Sequence, residues 1–420
     1  RAATRSSRSA IPTGRPTPGT TNVRPETLRG DDPRDVLRAL RGAVLGAGPA
    51  ISLGLSSEAA DAAAHPAPRE VPAGTAVVVT TSGSSGVPKS VILSRSALTS
   101  SALSTAARLG EGAWLLALPA SYVAGLQVLV RSLVQGREPA ILSGKFSAEG
   151  FAAASLSMKS SVGGVRVPSY TSLVPAQLAT VLDAAPHDPA VAEALRSFEA
   201  ILIGGQALPA ALAARAEALG ARIVRTYGSS ETAGGCVYDG VPLDGVRVRT
   251  VDGELQLGGP TLADGYLDAP ELTADVFVED GGERWYRTGD AGAFVDGVVS
   301  VTGRRDNVII SGGVNVSLDR VEAAVHSVPG LERAVVVGVS DERWGEASVI
   351  VLGASASAGV SASAGVAGLD PAALLEAARA AVADAVDAKA RPRQLEIVPQ
   401  LPMLSSGKPD RQALRRLFAG

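Results

Sequence analysis

Short apolar runs alternate with alanine- and leucine-rich stretches between residues 76 and 226, and this alternation most constrains the fold. Runs such as Ala76–Thr80, Trp114–Leu118 and Ala200–Ile203 have the length and composition of buried strands. Stretches with helical periodicity follow them. Because parallel strands need long crossover connections, usually helices, the alternation predicts an α/β fold with a buried parallel sheet.

The remaining predicted elements of this region are the helices Asp35–Leu45, Ser94–Leu109, Leu126–Gln135, Thr171–Ala184 and Pro209–Leu219, and the strands Gly163–Val167 and Arg222–Thr226. After residue 238 short strands with Gly-rich turns predict a β-rich segment, namely Glu254–Leu257, Val295–Val301 and Asn307–Ile310. The last hundred residues predict a small α+β domain with helices Ser317–Ser327 and Pro371–Ala385 and strands Leu331–Gly338, Ser348–Leu352 and Gln394–Val398. Residues 353–368, rich in Ala, Ser and Gly, predict a surface loop.

Composition narrows the classes of function. The net charge of −3 disfavours a nucleic-acid partner, and no apolar run approaches the roughly 18 residues that a membrane span needs. One cysteine excludes an intrachain disulfide framework and is consistent with a reducing cytoplasm. The three histidines stand apart, and neither G-x-S-x-G nor G-x-G-x-x-G occurs, which disfavours hydrolases and dinucleotide-dependent dehydrogenases.

The most specific local feature is the stretch 80–89, TTSGSSGVPK, directly after a predicted strand. Glycines let a backbone approach an anion closely, hydroxyl and N–H groups donate to phosphate oxygens, and lysine supplies charge. Pro88 stands where a Walker A loop would need glycine, so this is a different phosphate loop. The predicted phosphate contacts are Thr81, Ser82, Gly83, Ser84, Ser85, Gly86 and Lys89.

This stretch resembles the phosphate loop of the adenylate-forming superfamily, which includes acyl-CoA synthetases, luciferases and nonribosomal adenylation domains. Further motifs of that family follow in order between residues 76 and 414. The resemblance implies a large adenylation domain of stacked α/β layers with a β-rich subdomain, residues 31–304, and a small mobile lid domain, residues 305–420. Residues 1–30, rich in Arg, Ser, Thr and Pro, are predicted to be a disordered extension.

Two motifs resemble the family's adenine-binding segments. The stretch 203–209, IGGQALP, is similar to a turn that packs against adenine and implies nucleotide contacts for Gly204, Gly205 and Gln206. The stretch 225–232, RTYGSSET, resembles the motif Y-G-x-[ST]-E-[ST]. By resemblance, Tyr227 and Gly228 lie against adenine, Thr232 near the α-phosphate, and Glu231 serves Mg²⁺.

Three later motifs complete the resemblance. The stretch 285–290, WYRTGD, implies that Asp290 binds the ribose hydroxyls, and 302–307, TGRRDN, implies a nucleotide contact for Arg304 and a hinge at Asp306. The spacing of Arg304 and Asp306 departs by one residue from the family's G-R-x-x-D. The stretch 309–315 resembles a loop lining the coenzyme A tunnel, which assigns Gly312 and Gly313 there. The C-terminal stretch 404–411, LSSGKPDR, implies that Lys408 bridges the carboxylate and the α-phosphate.

The resemblance implies an acid:CoA ligase that uses ATP, Mg²⁺ and coenzyme A. An anionic carboxylate attacks the α-phosphorus, so alignment and charge neutralisation by Lys89, Lys408 and Mg²⁺ replace a general base. Rotation of the small domain about Asp306 would then admit the thiol of coenzyme A. The oligomeric state stays open, a homodimer being one alternative.

Other stretches, 118–127, 170–178 and 233–240, look like o-succinylbenzoate:CoA ligases of menaquinone biosynthesis. Tyr122 replaces a histidine found in many relatives. The second carboxylate of that substrate needs polar or cationic contacts, and the substrate candidates are Tyr122, Arg166, Thr171, Ser172 and Ser229. The alternatives are another aryl- or fatty-acid:CoA ligase, a carrier-loading adenylation domain and a nucleotide-binding relative without catalysis.

Overall fold

The structure is a computed structural model that describes residues 22–28, 32–53, 70–81, 88–158, 161–162, 165–354, 370–404 and 407–418. Within the predicted N-terminal extension, the described residues 22–28 carry two short strands. Most of the predicted loop 353–368 lies outside the described residues.

The elements up to residue 156 are β1 (Asn22–Val23), β2 (Glu26–Thr27), α1 (Pro33–Leu45), β3 (Ile51–Leu53), β4 (Val71–Pro72), β5 (Thr75–Thr81), β6 (Lys89–Ser94), α2 (Arg95–Leu109), β7 (Ala113–Leu116), α3 (Val123–Val134), β8 (Ala140–Ile141) and α4 (Ala148–Leu156). Those from 161 to 266 are β9 (Ser161–Val162), β10 (Val165–Arg166), β11 (Ser169–Leu173), α5 (Pro175–Ala184), α6 (Pro189–Ser197), β12 (Ala200–Ile203), α7 (Ala210–Ala218), β13 (Ile223–Ser229), a 3-10 turn (Ser230–Thr232), β14 (Gly234–Tyr238), β15 (Val241–Pro242), β16 (Arg247–Val251), β17 (Glu254–Gly258) and β18 (Gly265–Tyr266). The rest are α8 (Pro270–Val276), β19 (Phe277–Asp280), β20 (Glu283–Val295), β21 (Val298–Arg304), β22 (Val308–Ser311), β23 (Val314–Ser317), α9 (Leu318–Val325), β24 (Val335–Asp341), β25 (Gly345–Gly353), α10 (Pro371–Ala385), a 3-10 turn (Ala388–Ala390), β26 (Gln394–Val398) and α11 (Arg411–Arg416).

The central sheet has the strand order β15-β14-β13-β12-β11-β7-β8. Strands β13, β12, β11, β7 and β8 pair in parallel, and β14 and β15 add antiparallel pairs at one edge. Trp114 on β7 and Tyr170 on β11 are almost fully buried, with ring centroids 5.1 Å apart. This is the buried parallel sheet that the sequence predicts, and its strands end where the candidate site forms.

Two further sheets complete the larger part of the molecule. One has the order β18-β6-β5-β3-β2, and the other has the order β16-β17-β20-β19 with β21 paired to β20. The second of these contains two of the strands predicted after residue 238, Glu254–Leu257 and Val295–Val301, whereas the third, Asn307–Ile310, corresponds to β22 of the C-terminal sheet. Its predicted strand Val295–Val301 is in fact a hairpin, because a tight turn at Asp296 and Gly297, both with positive φ, separates β20 from β21.

The C-terminal part has its own sheet, in the order β23-β22-β25-β24, with β26 parallel to β25. Its buried apolar residues start at Ile309 and form clusters separate from those built by residues up to Val299. A large α/β part and a small α+β part therefore have separate cores, which confirms the predicted fold class. The boundary between residues 304 and 305 falls between these cores and stays a prediction.

One predicted helix starts late, and the difference matters for the site. Residues 169–173 form β11, so Thr171 and Ser172 lie on a central strand and not in the predicted helix Thr171–Ala184. The helix begins at Pro175, whose fixed φ suits a first helical turn and forces Val174 into an extended conformation. Of the strand predicted at 163–167, Val165–Arg166 form β10, which pairs with β9, whereas the strand of the central sheet is Ser169–Leu173.

Candidate active site

Tyr227 and Asp290 lie on different sheets and meet at one point. The Tyr227 hydroxyl, on β13, donates a hydrogen bond of 2.6 Å to Asp290 Oδ2, on β20. Arg304, at the end of the neighbouring β21, donates from Nη1 to Asp290 Oδ1 over 3.3 Å. Burial raises the pKa of Asp290, while the bond from Tyr227 and the Arg304 charge lower it in part. The structure thus places three predicted nucleotide contacts, Tyr227, Asp290 and Arg304, in one cluster.

A cleft beside this cluster has aromatic and polar walls. It is lined by Tyr227, Gly228, Ser229, Leu257, Tyr286, Thr288, Asp290 and Arg304. Burial raises the pKa of the Tyr286 phenol, and the nearby Glu231 carboxylate raises it further. An aromatic wall next to a carboxylate suits a nucleoside, because a ring can stack on a base and a carboxylate can accept hydrogen bonds from ribose hydroxyls.

The acidic turn after β13 carries Glu231 and Thr232. The Thr232 hydroxyl is fully buried; it accepts a hydrogen bond from the Ser229 N–H over 2.9 Å and lies 2.8 Å from the Gly234 carbonyl. This hydroxyl is therefore hydrogen-bonded to the backbone of the turn that contains it. The predicted position of Thr232 at the α-phosphate stays a prediction, and it would require the hydroxyl to exchange one of these bonds.

Glu231 faces a tyrosine that the sequence analysis did not single out. The Tyr266 hydroxyl, on β18, donates a hydrogen bond of 2.8 Å to Glu231 Oε1. The Lys89 Nζ lies over the same ring, 5.7 Å from its centroid. Tyr266 therefore connects the acidic turn to the lysine at the end of the predicted phosphate loop.

Only the ends of that phosphate loop belong to the described residues. Thr81 and Lys89 face each other across the β5–β6 pair, and the Thr81 hydroxyl donates to the Lys89 carbonyl over 3.4 Å. The predicted contacts Ser82, Gly83, Ser84, Ser85 and Gly86 lie outside the described residues.

Lys408 reaches the site from the C-terminal part of the chain. Gly205 has a φ of +81°, and a Cβ at that position would lie 3.3 Å from Lys408 Cε and 4.0 Å from its Nζ. The Lys408 side chain thus packs directly on the Gly-Gly turn after β12. Burial lowers the pKa of Lys408, and the Glu231 carboxylate opposes this shift. Lys408 as a residue is nevertheless solvent-exposed, so its ammonium group stands near the acidic turn at the open edge of the site.

The remaining members of the Gly-Gly turn are placed at the same edge of the central sheet. Gly204 follows β12 and packs against Thr226, whose hydroxyl donates to the Ile203 carbonyl over 3.2 Å. Gln206 is half-buried in the turn before α7. β12 ends here beside its parallel neighbour β13, and open α/β sheets bind ligands outside the carboxyl ends of their strands.

The predicted hinge and coenzyme A residues lie in the segment that enters the small part. The Arg304 guanidinium makes two bonds to the Asp306 carboxylate, of 2.9 and 3.0 Å, which raise the pKa of Arg304. Gly312 and Gly313 form the turn between β22 and β23, next to the half-exposed ring of Trp344. The roles assigned to Asp306, Gly312 and Gly313 stay predictions.

The substrate candidates divide into two groups. Tyr122 is half-buried before α3, and Ser229 lies in the cleft beside Tyr286. Thr171 is fully buried and donates to the Leu115 carbonyl over 3.0 Å, while Ser172 is buried on the same strand. Arg166 is exposed on the separate β9–β10 hairpin. Of these candidates, Ser229 is the one that lines the described cleft, and the substrate role of Tyr122 stays a prediction.

Glu231 is the carboxylate that this site offers to Mg²⁺. Among the described residues, no group of three or more His, Cys, Asp or Glu side chains is arranged to hold a metal. Mg²⁺ usually binds to one or two carboxylates plus substrate phosphates, and Glu231 supplies one carboxylate beside the lysines. The residues therefore fit a cation that arrives with a nucleotide, not a cage built by the protein.

Several residues near the site were not found by sequence reasoning. Tyr266 contacts Glu231, and Gln127, buried on α3, donates from Nε2 to the Ala233 carbonyl over 2.7 Å behind the acidic turn. Glu254 bonds the turn before Asp290. Each acts through a contact between residues far apart in the chain, so no local spacing indicates it.

In the ranges that the structure describes, no helix combines the length and apolarity required to cross a bilayer.

Comparisons with known proteins agree with this geometry. Residues 16–267 match the family described as AMP-binding enzyme, and residues 320–408 match the AMP-binding enzyme C-terminal domain. A curated "Probable 2-succinylbenzoate--CoA ligase" of Mycobacterium tuberculosis (strain CDC 1551 / Oshkosh) is 44% identical over 354 residues, which are 82% of this chain and 85% of the relative.

Two solved structures of similar chains have the same fold. The o-succinylbenzoate CoA synthetase (MenE) of Bacillus subtilis, in complex with the acyl-adenylate intermediate OSB-AMP, is 26% identical with a TM-score of 0.64, covering 81% of this chain and 69% of that one. The amide bond synthetase McbA of Marinactinospora thermotolerans is 28% identical with a TM-score of 0.65, covering 88% and 76%. The family match over more than half of the chain, together with the 44% identical relative, shows that the chain belongs to the AMP-binding enzyme family.

Proposed function

We propose that the chain is an ATP-dependent acid:CoA ligase whose acid is 2-succinylbenzoate. The observation that carries the proposal is the meeting of Lys408, from the small part, with Glu231 and Gly205 of the large part, beside the Tyr227–Asp290 pair. The 44% identical relative named for this reaction supports the acid. A reaction that consumes ATP and coenzyme A is expected to occur in the cytoplasm.

In the first half-reaction a substrate carboxylate oxygen attacks the α-phosphorus of ATP. A new C–O–P linkage forms, the bond between the α- and β-phosphates breaks, and pyrophosphate leaves with the electron pair. Both reactants are anionic, so the barrier falls when fixed cations offset the charge that gathers at the phosphorus. Lys408 and Lys89 are the candidates for this role.

The other site residues orient the nucleotide. Tyr227 and Tyr286 would flank the base and sugar, and the Asp290 carboxylate would accept hydrogen bonds from the ribose hydroxyls. Glu231 would hold Mg²⁺, which supplies positive charge to the phosphates when it is bound. The part of this arrangement contributed by the protein is alignment, which can supply a large share of the rate enhancement.

In the second half-reaction the thiolate of coenzyme A attacks the acyl carbonyl carbon. A thioester C–S bond forms and AMP leaves with the electrons of the acyl C–O bond. We infer that Lys408 withdraws for this step, because its ammonium group and chain segment stand against the Gly-Gly turn in the present arrangement. Asp306 is the proposed hinge, and the Gly312–Gly313 turn is the proposed wall of the coenzyme A path.

A screen of pyrophosphate release tests the proposal. The assay would compare 2-succinylbenzoate, benzoates and medium-chain fatty acids, each with and without coenzyme A, with Lys408→Ala as the background control. We expect CoA-dependent release with 2-succinylbenzoate. Release only with fatty acids would leave a ligase with a different acid. Release that depends on an amine instead of coenzyme A would indicate an amide synthetase, and no release with any acid would indicate a nucleotide-binding relative.

A further inference from the structure

Glu254 is a buried carboxylate that none of the sequence motifs includes. It begins β17, directly after the turn at Asp252 and Gly253, and is only 5% exposed. A buried carboxylate is stable only when hydrogen bonds and opposite charges replace its lost hydration. Its partners therefore indicate what it holds in place.

One oxygen of Glu254 holds the turn that carries Asp290. Glu254 Oε1 accepts a hydrogen bond of 3.0 Å from the Gly289 N–H. Gly289 has a φ of +70°, a left-handed conformation that glycine adopts without strain, so this turn has few intrinsic restraints. The neighbouring Thr288 hydroxyl donates to the Leu255 carbonyl over 2.7 Å and accepts from the Asp290 N–H over 3.0 Å. Two consecutive residues of β17 thus restrain the turn.

The other oxygen of Glu254 has two cationic partners. Arg287 Nε lies 3.2 Å and Arg305 Nη1 3.5 Å from Oε2. The Arg305 N–H also donates to the Gly289 carbonyl over 2.9 Å. Gly289 is therefore bonded through its N–H to Glu254 and through its carbonyl to Arg305, the residue next to the proposed hinge.

We propose that Glu254 is a positioning residue for nucleotide binding, which holds the Gly289 turn so that the Asp290 carboxylate faces the nucleotide ribose. This inference rests on the proposed function, since it requires that Asp290 binds ribose. Without the Glu254 carboxylate the turn would lose its buried acceptor, and the direction of Asp290 would no longer be set by β17. Thr288 is the second tether of the same turn.

The test is equilibrium binding of ATP and of 3′-deoxy-ATP, measured by calorimetry. We expect the unmodified chain to prefer ATP, because Asp290 reads a ribose hydroxyl that 3′-deoxy-ATP lacks. Glu254→Leu should weaken ATP binding by about 10-fold to 100-fold and abolish the preference, because a buried N–H loses its acceptor. Glu254→Gln keeps a neutral acceptor for that N–H and should stay within about 3-fold of the unmodified chain, with the preference retained.

A double-mutant cycle separates positioning from a general loss of stability. Asp290→Asn should also abolish the preference, and adding Glu254→Leu should then weaken binding by less than about 2-fold, because coupled residues are not additive. Thr288→Val, which removes the second tether with little change of shape, should reduce the preference in the same direction. Glu283→Gln is the matched control, since Glu283 is a surface carboxylate on the same sheet that pairs with Arg247 over 3.1 Å.

Additive losses in the cycle, or an unchanged preference in a folded Glu254→Leu or Thr288→Val chain, would overturn the inference. Thermal unfolding of each variant identifies chains that do not fold. If Glu254→Leu does not fold, Thr288→Val still decides the test. Should the unmodified chain bind no ATP at all, the proposed function itself would fail. Binding with a preference that Glu254 does not influence would remove only this inference.

Discussion

The Tyr227 hydroxyl donates to the Asp290 carboxylate over 2.6 Å, although 63 residues separate the two in the chain. This bond favours the ionised form of Asp290, because it lowers a pKa that burial raises. A carboxylate must be ionised to accept hydrogen bonds from two ribose hydroxyls with both oxygens. The Tyr227 hydroxyl therefore supports binding as well as packing.

Tyr227→Phe should make nucleotide affinity more sensitive to acid. The pKa of Asp290 is already above its ordinary value, so affinity should fall as pH drops through that raised pKa and protonates the carboxylate. Removal of the Tyr227 hydroxyl raises the pKa further, which moves the loss to a higher pH, while affinity above pH 8 should change by less than about 3-fold. Calorimetric affinities between pH 5 and 8 would check this, and a loss that begins at the same pH in both chains would contradict it.

Lys408→Ala should affect the two half-reactions unequally. Pyrophosphate release from ATP and acid should fall by about 100-fold to 1000-fold, because a fixed cation at the reacting phosphorus is lost. Thioester formation from pre-made acyl-adenylate should stay within about 3-fold. Rapid-quench assays of each half-reaction provide the measurement. An equal loss in both half-reactions would show that Lys408 also acts in thioester formation.

Lys408→Arg should change the pH profile of adenylation. Burial lowers the pKa of Lys408, so the first half-reaction should slow as pH rises through that lowered pKa and the ammonium group loses its proton. Arginine stays charged throughout this range. The variant should therefore adenylate more slowly than the unmodified chain at neutral pH, but its rate should not fall as the pH rises. Adenylation rates between pH 7 and 10 test this expectation, and the same decline in both chains would assign it to another group.

Gly205→Ala should slow adenylation more than its effect on folding explains. The new methyl group would meet Lys408 Cε at 3.3 Å and occupy a residue with a φ of +81°. Gly136→Ala is the matched control, because Gly136 has a φ of +65° with open space around its missing Cβ. Both changes should cost about 1 kcal/mol of unfolding free energy through backbone strain. Only Gly205→Ala should reduce adenylation, by about 10-fold, and equal activity of the two variants would disprove a contact with Lys408.

Arg333→Ala should alter the balance between the half-reactions. Arg333, in the small part, forms an ion pair with Asp183 on α5 of the large part, so it favours the present arrangement of the two. Its loss should slow adenylation by up to about 5-fold, the range expected of a partly exposed ion pair, without slowing thioester formation. Arg215→Ala is the control, since Arg215 pairs with the same carboxylate over 2.7 Å from within the large part. An equal effect of both variants would exclude a role for the contact between the parts.

Much of the candidate site could be predicted because its side chains stand in short motifs of neighbouring residues. Tyr227, Asp290 and Lys408 stand in short motifs whose order indicated one nucleotide site, and the structure bonds Tyr227 to Asp290 and places Lys408 near Glu231 of the same motif as Tyr227. The helices α1 and α10 were predicted with nearly their observed bounds, because caps and apolar periodicity act within one element. Thr171 was misplaced in a helix, since short β-branched and aromatic runs before a proline do not reveal where a strand ends.

By itself, the sequence determined the β/α alternation, the separation into an α/β part and an α+β part, and the residue types available for nucleotide chemistry. Only the tertiary structure decided that Tyr266 contacts Glu231, that Glu254 bonds the Gly289 turn, and that Lys408 packs on Gly205. The physical reason is that propensity and periodicity act over a few residues. Contacts across tens or hundreds of residues depend instead on strand register and on how the sheets pack, which no local pattern records.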